Sequence, residues 1–207
     1  MLFELTSATT IEEIVDWYTT AESALLKERT AAHTSILAGV IPSHLLRPLP
    51  RGATPGDVDD YFRNCLKEIE LAANLFLVAA AEARLRRDAQ GRQKSGRSSL
   101  DDRLSLLHRE AQTAWHVPLY EMGLLDAWKD YIGTIPNVLD NEKSRWLSRV
   151  GDFKFVLRLR HWVAHGRYWE LSPSVDAFPF AMVVAAVEKM FIALNDVATR
   201  GAIPTVK

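Results

Sequence analysis

Along almost the whole of this chain apolar residues recur at intervals of three and four, and nowhere do β-branched residues alternate in a sustained run. No Asn-Gly or Asp-Gly pair marks a hairpin. A period near 3.6 puts one apolar stripe on a helix but scatters the same residues over both faces of a strand. The stripes must then be buried against other helices. The pattern predicts an all-α fold, a single helical bundle of about five to six helices spanning residues 1–207.

The punctuation agrees. Thr9 or Thr10 can cap a first helix carrying Ile11, Ile14, Val15, Tyr18, Leu25 and Leu26, with Glu12 and Glu13 in its first turn, and this helix is predicted to run to about Val40, before Pro42. Thr54-Pro55 opens a second, with Pro at the first helical position. Its apolar positions Val58, Phe62, Leu66, Ile69, Ala73 and Phe76 mark a buried face, and residues 71–83 are apolar nearly all round, a central helix. Ser98 or Ser99 caps a third, expected to reach about His116. Further helices are expected over 119–131, 139–165 and 180–199, with Gly166 as a left-handed cap on the long one.

Between the second and third helices, Arg84, Arg86, Arg87, Arg92, Lys94 and Arg97 face a single acid, Asp88. Gly91, Ser95 and Gly96 read as a loop. Two readings stand open: a solvated helix end with a mobile loop, or a flexible phosphate-binding arm.

Hydrophobic residues make up 48% of the chain and charged residues 25%, enough for a well-buried core. The net charge of −1 counts against a protein that coats long duplexes, yet leaves room for an enzyme that grips a few phosphates. The lone Cys65 cannot form an internal disulfide and reads as a small buried hydrophobe, which fits a reduced, cytoplasmic setting. Residues 1–10 lack the regions of a signal peptide, and the longest apolar run, 75–81, is too short to span a bilayer. A soluble protein without a membrane partner is expected.

Chemistry concentrates in residues 153–170. On a helical wheel Phe155, Leu159 and Trp162 share one face, with Val156 and Val163 at its edge, and this stripe is expected to face the core. Arg158, His161 and His165 fall at i, i+3 and i+7 on another face. Two histidines and an arginine side by side are costly to bury and useless for packing, so they either sit exposed or line a site. The remaining histidines, His33, His44, His108 and His116, are scattered singly and read as surface or satisfied core groups.

The string Arg160-His161-Trp162-Val163-Ala164-His165 resembles the Arg-polar-x-x-x-His signature of HEPN domains, all-α ribonucleases and nucleotide-binding modules of toxin–antitoxin and antiviral systems. Residues 75–88 are similar, more loosely, to the long central helix of such proteins. The resemblance implies a HEPN-like bundle that cuts RNA without a metal or cofactor, through attack of the RNA's own 2′-hydroxyl on the adjacent phosphorus. It casts His165 as the proton-exchanging group, Arg160 as the phosphate clamp, and His161 as the residue that orients phosphate or His165. Arg158, Arg167 and Tyr168 are the accompanying substrate-binding candidates. It also implies a homodimer in which two motifs share one cleft, and an antitoxin or other protein as a further partner.

Arg160 and His165 lie about 140° apart at about 100° per residue, so one straight helix does not aim both at a single atom, and Arg158 is a substitute clamp. A chelated metal at His161 and His165 is the chemical competitor, but no acid lies between them and the nearest are Asp152 and Glu170. A purely structural reading has His165 capping the helix end and Arg160 in surface salt bridges, and the competing class is a non-catalytic helical module that dimerises or binds a nucleotide or protein.

Overall fold

The computed structural model describes residues 10–43, 45, 47–94, 96–111, 117–119, 121–166, 170–172 and 174–206. Six α-helices and no strand occur among them: α1 (Ile11–Leu37), α2 (Pro55–Gln93), α3 (Ser99–Glu110), α4 (Leu124–Thr134), α5 (Asp140–Ala164) and α6 (Phe180–Arg200), with a short 3-10 turn at Val175–Ala177. The all-α architecture is as the periodicity predicts. No helix among the described residues is long and apolar enough to cross a membrane.

Contacts divide the chain into two compact units, with the division inside α2 between Phe76 and Leu77. In the first, Thr10 opens α1 through a capping box: its Oγ1 accepts from the Glu13 amide at 3.1 Å while Glu13 accepts from the Thr10 amide at 2.8 Å. The helix stops at Leu37, earlier than the predicted Val40. Gly39, at φ +76°, turns left-handed, and the Val40 and Gly39 amides close back on the Ser35 and Ile36 carbonyls. This Schellman closure, rather than Pro42, ends the helix. Thr54 and Asp57 exchange caps at the start of α2. Ala32, Leu49, Val58 and Phe62 form a small core there. His33 Nε2 donates to the Asp59 carboxylate at 2.9 Å, a satisfied pair that also holds the Asp59 pKa below its ordinary value.

In the second unit Leu77, Val78, Ala81, Leu85 and Ala89 carry the buried stripe of α2. α5 packs most extensively on α6, and α4 lies against both α3 and α5. Trp128, Trp146, Phe153 and Phe178 are fully buried among these helices. α3 ends at Glu110; His116, the end expected for it, and His44 lie outside the described residues. α4 begins at Leu124 rather than Leu119, because Glu121 and Met122 are both left-handed and the Pro118 and Leu119 carbonyls accept from Leu124 and Leu125.

The basic segment stays helical further than expected, past Gly91. α2 continues as helix through Gln93, and three of the arginines point inward. Arg84 lies 4.2 Å over the Phe191 ring and Arg86 donates to the Val117 carbonyl at 2.8 Å. Arg92 is 4% exposed, paired at 2.7 Å with Asp88 one turn back, lies near Asp101 on α3 and over Trp128 on α4, and donates to the Pro204 carbonyl. Burial raises the Asp88 carboxyl above its ordinary range despite the attraction of Arg92. A buried guanidinium demands this many acceptors. Arg84, Arg86 and Arg92 are therefore a structural node, and Arg87, Lys94 and Arg97 are the exposed cations of the segment.

Candidate functional site at the end of α5

The core face of α5 sits slightly round from the predicted stripe. Trp146, Val150, Phe153, Val156, Leu157 and Leu159 are buried, whereas Phe155, Trp162 and Val163 are half-buried. Phe155 stacks on Phe178 at 4.7 Å, which holds it at the margin of the core. The shift matters for Arg160. It follows Phe153 by seven residues, Val156 by four and Leu157 by three, so it extends the buried row. Its guanidinium accordingly turns toward α2, where Nη2 lies 3.4 Å from Glu82 Oε2, and its Nε is buried with no hydrogen-bond partner.

Arg158, His161 and His165 are all exposed, on the face that their spacing assigns to them. The two imidazole rings lie 4.3 Å apart between centroids, tilted by 56°. His165 is the C-terminal cap of α5, its amide donating to the His161 carbonyl at 3.1 Å; Gly166 follows at φ +78°, the left-handed turn expected of it. The His161 pKa is lowered below its ordinary 6.5, first by partial desolvation of the ring and then by the neighbouring charges of His165 and Arg160. This face can therefore offer a neutral imidazole at His161 beside the ring of His165.

The helix stays regular through Ala164, so it brings the two histidines together and aims Arg160 elsewhere. Arg167 and Tyr168 lie outside the described residues, as does Trp169. Among the described residues no cluster of three or more His, Cys, Asp or Glu side chains is placed to hold a metal ion.

Glu82 is the site-adjacent residue that sequence reasoning missed. Its Oε1 accepts from Arg86 Nε at 3.0 Å and Nη2 at 2.8 Å, and its Oε2 faces Arg160, so one carboxylate serves two guanidiniums. The Glu82-Arg86 spacing of four on a helix was the available local signal. No protein-family model, curated protein or solved structure matches this chain.

Proposed function

We propose that the end of α5 is the working surface of a metal-independent endoribonuclease of HEPN type, acting in the cytoplasm as a toxin or antiphage effector. The observation that carries this reading is the exposed pair of imidazoles, 4.3 Å apart, one of them held below its ordinary pKa. Internal transfer needs a base to take the proton of the 2′-hydroxyl and an acid to protonate the departing 5′-oxygen. The 2′-oxygen bonds to phosphorus, the bond to the 5′-oxygen breaks, and a 2′,3′-cyclic phosphate and a 5′-hydroxyl remain. The depressed pKa suits His161 to accept the first proton, with His165 as its acid–base counterpart. Arg158, exposed on the same face, supplies the positive charge that faces the phosphorane oxygens, and Arg160 can add to it only by leaving Glu82. Arg167 and Tyr168 would extend the RNA contact, and a homodimer would double the histidines around one cleft.

Purified protein incubated with total RNA in excess EDTA is expected to yield fragments with 5′-hydroxyl ends. His165→Ala and His161→Ala are each expected to slow cleavage by about a hundredfold or more, the usual contribution of an acid–base group. Absence of cleavage by the parent, or full activity in His165→Ala, overturns the reading.

The second reading is a non-catalytic helical module that dimerises or binds a nucleotide or a protein such as an antitoxin. The Arg160–Glu82 pair favours it, since an arginine held by an internal carboxylate already has a structural job. In that case any RNA binding survives the loss of Arg160 and His165 unchanged.

A further inference from the structure

Glu82, Arg86 and Arg160 form a cluster with two positive charges and one negative, and the two arginines are not held alike. Arg86 makes two short bonds to one oxygen of Glu82, Oε1, and is also fixed by the Val117 carbonyl; the Arg86 and Glu82 side chains are 12% and 14% exposed. Arg160 reaches the same carboxylate through one nitrogen at 3.4 Å, is 34% exposed, and keeps a buried Nε–H without an acceptor. A guanidinium prefers a two-point fork on a carboxylate or phosphate, and Arg160 has none. Oε1 of the carboxylate is thus committed to Arg86, and Arg160, left with Oε2 alone, is the less satisfied and more accessible cation. It also stands next in sequence to His161, whose exposed ring adjoins that of His165.

Resting on the reading of this face as an RNA-binding surface, we infer that Glu82 is a positioning residue that parks Arg160 against α2 and surrenders it to an incoming RNA phosphate. A phosphodiester carries two non-bridging oxygens and can supply the fork that Glu82 withholds. Exchange costs only the single long contact at Arg160, while Arg86 keeps Glu82 in place for the return. Bound RNA then has one more cation to neutralise than the resting surface displays, and the carboxylate disfavours phosphate wherever the remaining contacts are too few to pull Arg160 free. Glu82 sets a threshold for retention.

The test uses the full chain and a short fluorescent 2′-O-methyl oligoribonucleotide, which lacks the attacking hydroxyl, titrated by anisotropy across a salt series. Glu82→Gln is expected to bind roughly three- to tenfold more tightly than the parent at low salt, with a salt dependence steeper by about one phosphate contact. Arg160→Gln is expected to abolish that gain, so that the double variant binds no better than Arg160→Gln alone. A merely structural ion pair predicts instead equal binding by Glu82→Gln and its parent. Equal or weaker binding, a gain that persists without Arg160, or no binding by any variant overturns the inference. Where Glu82→Gln loses its helical circular dichroism, Glu82→Asp serves in its place, being one methylene too short to span both arginines, with a smaller gain expected. Cleavage of ordinary RNA in EDTA is scored separately: a parent that binds without cutting loses the nuclease reading and leaves the Glu82 comparison intact.

Discussion

A proton placed on His161 meets resistance from the partly desolvated ring itself, then from His165 and Arg160. Its neutral form therefore persists to lower pH than that of an isolated imidazole. If His161 accepts the 2′-hydroxyl proton, the acid limb of kcat/KM rises with pH through a midpoint below 6.5. Arg160→Gln removes one of the opposing charges, so the midpoint should move up toward 6.5, and an NMR titration of the ring reports the same shift without substrate. A midpoint above the ordinary value in the parent, or a downward move in the variant, contradicts this. The two histidines were legible in the sequence because residues four apart on a helix meet whatever the rest of the chain does. The direction of Arg160 was not, since it depends on where the core of α5 lies and on a carboxylate from another helix.

Helix ends divide in the same way. Thr10, Thr54-Pro55 and Ser98 cap through bonds reaching three residues along the chain, so their starts could be read locally. The far end of α2 could not, because Arg92 draws its partners from α3, α4 and the segment after α6, and these outweigh the helix-weakening Gly91. At the end of α6 the geometry contradicts the usual assignment of roles. Gly201 is the cap at an ordinary φ of −81°, and the left-handed position belongs to Ala202 at φ +53°, with the Ile203 amide closing on the Ala198 carbonyl. Gly201 is required for a different reason: a Cβ there would overlap the Tyr131 hydroxyl. Ala202→Gly should stabilise the protein by about 1 kcal/mol through relief of the left-handed alanine. Urea unfolding should show the midpoint rise for Ala202→Gly and fall for Gly201→Ala. The reverse order would mean that the cap is not formed as described.

For the whole molecule, one copy brings one pair of histidines, and the proposed chemistry gains from a second pair across a two-fold axis. Light scattering after size exclusion should then give roughly twice the chain mass of 23.3 kDa. A strict monomer that still cleaves RNA excludes the shared cleft while leaving the single-chain pair in place. The segment that follows α6 has a consequence of its own. Asn195 accepts from the Val206 amide, Arg84 donates to the Val206 carbonyl, and Arg92 donates to the carbonyl of Pro204, 112 residues further along the chain. On a ribosome, then, Arg92 emerges long before the carbonyl oxygen that accepts its Nη2 hydrogen bond. Until that oxygen arrives Arg92 has Asp88 one turn back as its short partner, and Nη2 lacks the acceptor that the folded structure gives it. The hydrogen bonds that tie residues 204–206 to Arg84, Arg92 and Asn195 can therefore form only after α2 to α6 have been made, so this segment is expected to be the last part of the second unit to lock.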